Sequence, residues 1–282
     1  MTSITQIGLG PMGIALADCL ISNDYNLTVW NRTTSKMASF VDRGAQAADS
    51  IDAAVAASST VIVCLRDYSS TLELFRSVKD ETVFSGRTII QLSTGRTHEA
   101  HALNDWLTAR GASYLDGAIL GAPHIIGEPD AVILVAGNEK TWQKSRATLQ
   151  LLAGKAAHAG AQIDAASLLD LAFLCQRLGA FMGAMQGIAL CQASGLKAST
   201  FGETVASDNR IKMLTEVIAN ESYDEPVNSI ALWTDGFQHI VDQANETNCP
   251  SAFLDFLADR FRQANAAGLG GEDIAALIKT FG

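Results

Sequence analysis

The residues that could do chemistry begin within the first turn of the chain. Ile7-Gly8-Leu9-Gly10-Pro11-Met12-Gly13 sits between a β-branched run and an amphipathic stretch. In that setting Gly8 permits a tight turn, Gly10 lets the backbone approach a pyrophosphate, and Gly13 lets a helix close on the preceding strand. Leu9, Pro11 and Met12 complete a turn whose N–H groups and helix dipole attract phosphate. The glycine spacing alone is a weak signal, and the strand-turn-helix context makes it a strong one. The second strand ends Asn31-Arg32-Thr33-Thr34-Ser35-Lys36. A chain that binds unphosphorylated dinucleotide usually carries an acid there, for the ribose hydroxyls. Arg32 instead offers a guanidinium that pairs with a 2′-phosphate through two hydrogen bonds, and Lys36 adds a second cation. Asn31 and Thr33 can donate further hydrogen bonds. A solvated basic loop is the bland alternative, but both cations fall where a 2′-phosphate would lie. The expected cofactor is NADPH/NADP.

Other catalytic patterns are missing. His98, His101, His124, His158 and His239 are scattered, so no metal site is expected. No G-x-S-x-G occurs, and hydride transfer needs no protein nucleophile, because the cofactor carries that chemistry. The five cysteines, Cys19, Cys64, Cys175, Cys191 and Cys249, form no C-x-x-C pair. Most of them sit in apolar runs and read as small buried hydrophobes, and a reducing cytoplasm fits. The formal net charge of -10 argues against a nucleic-acid partner. No basic segment followed by an apolar core and a cleavage site opens the chain, so no signal peptide is expected. The uncharged stretch Leu178–Leu196 is of marginal membrane length, and a buried soluble helix is the preferred reading. No membrane partner is expected.

The elements that must position these residues fall into two classes. Strands are predicted at Ser3–Ile7, Leu27–Trp30, Thr60–Leu65, Thr88–Leu92, Ser113–Leu115 and Ala131–Ala136. Helical stretches such as Ile14–Ile21, Ser35–Arg43 and Thr97–Arg110 lie between them. That alternation predicts an α/β Rossmann domain, a doubly wound parallel sheet spanning residues 1–160. Beyond it the strand signal stops. Helices are expected at Ala165–Ala193, Ser199–Ala219, Asn228–Glu246, Ser251–Ala267 and Gly271–Phe281, making 161–282 an all-α domain joined by a long interdomain helix. On that helix Gly179, Gly183 and Gly187 form a small-residue stripe. Close helix packing would compensate the roughly 1 kcal/mol that each glycine costs a helix relative to alanine. Spacing alone leaves internal packing and a subunit interface equally open.

Gly8–Gly13, Asn31-Arg32-Thr33 with Lys36, Ser93-Thr94-Gly95, Tyr114-Leu115-Asp116-Gly117-Ala118 and Ala166–Leu174 together resemble the imine reductases. These are relatives of the β-hydroxyacid dehydrogenases, with a 6-phosphogluconate dehydrogenase-like organisation. The resemblance extends to Gly268–Leu277 and so covers essentially the whole chain. Where those dehydrogenases carry a catalytic lysine, this chain has Asp170, within Ser167-Leu168-Leu169-Asp170-Leu171-Ala172. Their Ser-Gly-Gly carboxylate-binding segment is matched by Leu120, Gly121 and Ala122, and their Asn-Asn pair by Phe173 and Leu174. An anion replacing a cation, with the polar donors gone, suits a substrate that is or becomes positive. An iminium ion is one.

The resemblance therefore implies NADPH-dependent reduction of a C=N bond in a small-molecule imine. Asp170 would stabilise the iminium or donate the proton that makes it. An aspartate among leucines and a phenylalanine can hold its proton to higher pH, which favours donation. The alternative for Asp170 is a charge favoured by the helix dipole. Thr94 matches a position beside the nicotinamide, and could equally cap the following helix. Ser93, Cys64 and Leu65 are expected at the cofactor. Leu120, Leu174, Leu178, Trp233 and His239 are candidates for the substrate pocket, with core packing the alternative for Trp233. Leu178 and Thr94 stand where reductive aminases of the family tend to carry tyrosine and asparagine. The family also exchanges helical domains between two subunits, so a homodimer is expected. Two other readings stay open here: a dehydrogenase of 3-hydroxy acids, and a non-catalytic NADPH-binding sensor.

Overall fold

The computed structural model describes residues 2–205, 208–226 and 228–281. Among them, strands occupy β1 (Ser3–Ile7), β2 (Asn26–Trp30), β3 (Gln46–Ala47), β4 (Thr60–Val63), β5 (Thr88–Gln91), β6 (Ser113–Ile119), β7 (Ile133–Gly137) and β8 (Ala157–His158). The first helices are α1 (Pro11–Ser22), α2 (Ala38–Val41), α3 (Ile51–Ala56), α4 (Tyr68–Arg76), α5 (Thr97–Thr108) and α6 (Glu139–Leu152). They are followed by α7 (Ala165–Ala193), α8 (Ala198–Thr204), α9 (Asn209–Asn220), α10 (Ile230–Thr247) and α11 (Ala252–Ala266). The chain divides into two compact units, the first ending at Asp170 and the second beginning at Leu171.

The first unit is one eight-stranded sheet in the order β3-β2-β1-β4-β5-β6-β7-β8. Its strands are apolar on both sides, as a sheet covered on two faces requires. Val61 and Val63 of β4 pack with Phe75, Phe84 and Leu103 on one side. Ile62, between them, joins Leu16, Leu20 and Trp142 on the other. The order reverses between β1 and β4, the switch point outside which ligands bind in open α/β sheets.

Two local expectations need correction. The sheet is parallel except at β6 and β7, which pair antiparallel. The segment 120–132 between them holds only a 3-10 turn, Pro123–Ile125. Without a crossover helix the chain returns in the opposite direction. The predicted helix 35–43 is a 3-10 turn, Thr34–Met37, running into the four-residue α2. The short strands β3 and β8 were not predicted; two residues are too few to show a period.

The second unit is helical. The expected helix 199–219 is two, α8 and α9, and residues 206 and 207 lie outside the described residues. The break is set by Asp208, whose carboxylate accepts from the N–H groups of Arg210 and Ile211 and starts α9. The last predicted helix is a 3-10 run, Ile274–Thr280. Leu171, Leu178, Met182, Met185 and Ile188 of α7 enter the core of this unit. By length and composition α7 alone among the described helices could cross a membrane, with 39% of its most apolar window buried. A Cβ on Gly179 would lie 3.0 Å from Phe253, and one on Gly187 would lie 2.7 Å from Phe201. Two glycines of the stripe thus admit aromatic rings of the same unit, while Gly183 has nothing within 4 Å.

Candidate active site

Four adjacent strand ends bring the cofactor candidates into one row. The Gly8 N–H donates to the Trp30 carbonyl at 2.9 Å and the Cys64 N–H donates to the Ile7 carbonyl at 2.9 Å. Leu92 N–H continues the row by donating to Val63 O at 2.8 Å. Buried Gln6 holds the turn from below, its Nε2 donating to Ile7 O at 3.0 Å and Gly8 O at 3.1 Å. Gly8 has φ +92°, and a Cβ there would lie 2.2 Å from the Cys64 carbonyl oxygen. Only glycine satisfies both demands. Gly13 is held as tightly, with its Cβ position 2.1 Å from Gly8 O, whereas Gly10 has nothing within 4 Å.

These residues line a cleft of about 320 Å³ formed by Gly8, Leu9, Gly10, Pro11, Met12, Gly13, Asn31, Cys64, Leu65 and Arg66. α1 starts there with Gly10 as its N-cap and no side chain capping it. Its first N–H groups are therefore available to an anion. The open face at Gly10 leaves space for a pyrophosphate to approach. The site fits a dinucleotide.

Asn31 has a structural role beside the expected one. Its Oδ1 accepts from the Leu9 N–H at 2.9 Å and its Nδ2 donates to Thr33 O at 3.0 Å. It braces the glycine turn against the loop that carries Arg32 and Lys36, which are both exposed. Thr33 starts the 3-10 turn that contains Lys36. Cys64 lines the cleft, and its buried thiol, pushed up to about 12 by that burial, stays protonated there. Arg66 at the cleft was not anticipated; one exposed arginine after a strand carries no signal that separates it from ordinary surface.

The carboxylate candidate lies at the start of α7. Asp170 is only 6% exposed. Burial pushes its pKa up to about 7, opposed by a hydrogen bond with the Thr94 side chain and reinforced by the charge of Asp116. Asp170 is not a solvated first-turn charge. Thr94 does not cap α5, whose N-cap is Arg96, with the Glu99 carboxylate accepting from Arg96 N–H at 2.9 Å. The Thr94 side chain is thus engaged with Asp170. Ser93 ties the β5 end to the β4 end, its Oγ accepting from Leu65 N–H at 2.9 Å.

A buried polar cluster that carried no predicted role surrounds this carboxyl. Asp116, fully buried on β6, accepts at Oδ1 from Tyr68 Oη at 2.5 Å and Tyr114 Oη at 3.1 Å. Its Oδ2 accepts from the Ser167 N–H at 3.1 Å. Burial raises Asp116 to about 6, against the pull of those donors. The Tyr-Leu-Asp-Gly-Ala segment of β6 was the available signal; its pairing with Tyr68 and Ser167 was not legible.

The remaining candidates lie elsewhere. Leu120 follows β6 and is partly buried, its N–H donating to Val132 O at 3.0 Å. In the helical unit Leu178 is fully buried, and Leu174 and His239 are partly buried. The Trp233 ring meets Phe181 edge-on at 6.0 Å, and its indole N–H has no hydrogen-bond partner among the described residues. No group of three or more metal-ligating side chains occurs among the described residues.

A glycine turn at the switch point, cations at the end of β2 and a buried acid on α7 beside Thr94 define a nicotinamide-dinucleotide oxidoreductase. Residues 3–160 match the family described as NAD binding domain of 6-phosphogluconate dehydrogenase. Residues 162–282 match the NADPH-dependent reductive aminase-like C-terminal domain. The chain is 31% identical to an NADPH-dependent reductive aminase from Aspergillus oryzae, over 97% of this chain and 95% of that one. An imine reductase from Myxococcus stipitatus in complex with NADP+ is 28% identical, with a TM-score of 0.70 covering 100% of this chain and 99% of the other. An imine reductase from Aspergillus terreus in complex with NADPH4 and dibenz[c,e]azepine is 30% identical, with a TM-score of 0.70 and the same coverage. The chain belongs to the family of NADPH-dependent imine reductases and reductive aminases.

Proposed function

We infer that this chain reduces a C=N bond to an amine with NADPH, Asp170 supplying the proton. The observation that carries this reading is a carboxyl group buried beside Thr94 whose pKa is raised to about 7. A general acid works best when its pKa lies near the working pH. Bound NADPH supplies the hydride. Gly8–Gly13 and the N-terminus of α1 would hold its pyrophosphate, and Arg32, Thr33 and Lys36 its 2′-phosphate. Asn31 keeps those two segments in register, and Cys64, Leu65 and Ser93 form the strand-end floor.

Asp170 donates its proton to the substrate nitrogen and is left as a carboxylate. The carbon accepts hydride, so one proton and one hydride convert the imine to the amine. The Thr94 hydroxyl then stabilises the carboxylate and fixes its orientation. Leu120, Leu174, Leu178, Trp233 and His239 would surround the substrate, a largely apolar lining that favours cyclic or aryl imines. A homodimer with exchanged helical domains is part of this reading, supported by the exposed apolar side chains Leu168 and Leu169 on α7 and Phe253 and Phe256 on α11. The free cysteines fit a cytoplasmic location. A reductive aminase from Aspergillus terreus in complex with NADPH4, cyclohexanone and allyl amine extends the candidate substrates to a ketone with an amine.

The test is NADPH oxidation with 2-methyl-1-pyrroline and a dihydroisoquinoline, beside NADP reduction with 3-hydroxyisobutyrate. Imine turnover is expected, and Asp170→Asn and Asp170→Ala should each lower kcat by roughly 10²–10⁴. Rapid oxidation of the hydroxy acid would make the chain a dehydrogenase instead. NADPH binding without turnover of any imine would make it a sensor. Unchanged rates in both variants would remove Asp170 from the reaction.

A further inference from the structure

Asp116 takes no part in the reaction outlined above, yet it is the most completely buried carboxylate near it. Three donors converge on it from three elements: Tyr68 on α4, Tyr114 on β6 itself, and the Ser167 N–H in the first turn of α7. Ser167 stands one helical turn before Asp170, so Asp116 holds the end of the helix on which the acid rides. That backbone N–H is one that the helix itself cannot satisfy, and an anion at the position also meets the positive end of the dipole.

Tyr68 joins this cluster to the Thr94 loop. A Cβ on Gly95 would lie 2.1 Å from Cδ2 of the Tyr68 ring. The ring therefore rests against the backbone of the residue after Thr94, while its hydroxyl donates to Asp116. Both partners of Asp170, the Thr94 hydroxyl and the first turn of α7, are placed by the same tyrosine–aspartate pair. A charged or titratable group faces Asp170 from β6, namely Asp116, and Tyr68 of α4 is also within its field. Tyr114 of β6 faces Asp116.

We propose that Asp116 is the positioning residue for Asp170: it clamps the first turn of α7 and sets a second negative charge against the Asp170 carboxyl, so that Asp170, not Asp116, retains a proton. The asymmetry comes from the donor sets. Asp116 has three donors that favour its charged form, and Asp170 has the Thr94 hydroxyl. Two buried acids in mutual repulsion take up a proton at the site with fewer donors. The inference rests on the proposed reading in one respect only, that the retained proton is the one delivered to substrate.

The experiment follows the Asp170 carboxyl by NMR in the full chain labelled with carboxyl-13C aspartate, with and without NADP+, its resonance assigned by loss in Asp170→Asn. The pH profile of imine reduction is measured in parallel. Asp116→Asn removes the repelling charge with little change of shape, and Tyr68→Phe withdraws one of the donors that keep Asp116 charged. Both should lower the proton affinity of Asp170, by roughly tenfold for Asp116→Asn and less for Tyr68→Phe. The alkaline limb of the profile should move to lower pH by the same interval. A purely structural Asp116 would reduce kcat or thermal stability and leave the Asp170 midpoint in place. An unmoved midpoint in both variants overturns the proposal; should Asp116→Asn fail to fold, Tyr68→Phe alone decides it. A moved midpoint with an unmoved limb upholds the role of Asp116 and removes Asp170 as the proton donor.

Discussion

Replacing Asp170 with asparagine should stabilise the folded chain above neutral pH while abolishing proton donation. The magnitude follows from the carboxyl pKa, raised in the folded chain from 3.8 to about 7 by burial, with Asp116 adding to it. Between those values the folded chain binds more protons than the unfolded one, so stability falls as pH rises. The contribution of the neutral acid is complete below the unfolded value and is lost as pH passes the folded one. A shift of about three units corresponds to roughly 4 kcal/mol over that window. Asparagine keeps the size and the capacity to bond Thr94, but has no charge to bury. Asp116 contributes a fall of its own in both proteins, which largely cancels from the difference. The assay is urea unfolding of both chains at about pH 5 and about pH 8, with the midpoint and slope read at each. Asp170→Asn should exceed the parent by roughly 1–2 kcal/mol at the lower pH, where part of the penalty is already present, and by roughly 4 kcal/mol at the higher. An equal difference at both pH values would refute burial as the cause of the raised pKa, and with it the acid proposed for catalysis.

Two further outcomes test the cofactor site. Arg32→Ala should weaken NADPH binding roughly 10- to 100-fold and leave NADH almost unchanged, because only the phosphorylated ribose meets the guanidinium; titration calorimetry with both cofactors checks it, and equal losses would reject the 2′-phosphate assignment. Gly8→Ala places a Cβ 2.2 Å from the Cys64 carbonyl at φ +92°. It should abolish NADPH binding and lower stability by about 2–4 kcal/mol, read by cofactor titration and thermal melting.

Legibility differed between the two halves of the site. The cofactor turn could be read because its chemistry is contiguous: strand, Gly8, Gly10, Gly13 and helix follow one another. Arg32 and Lys36 sit at the end of the next strand, and the parallel pairing of β1 with β2 sets Ile7 beside Trp30. Asn31 shows where such reading stops. Its type suggested a donor to ligand; the fold adds a second role, since one N–H and the carbonyl oxygen of its amide brace Thr33 and Leu9 while the other N–H is left over. The antiparallel return of β7 is not legible in the sequence for a related reason, since an apolar run shows that a strand is buried without showing its direction.

Local patterns thus determined the phosphate-binding turn, the cofactor type, the start of α7 and the presence of an acid on it. Each depends on residues a few positions apart, where backbone geometry ties spacing to shape. Only the tertiary structure decided what kind of acid Asp170 is. Its proton affinity depends on water excluded from around it, on Thr94, and on Asp116, held in turn by Tyr68, Tyr114 and Ser167. Those groups come from α4, β5, β6 and α7, and Coulomb's law acts on distances through space that their positions along the chain do not contain.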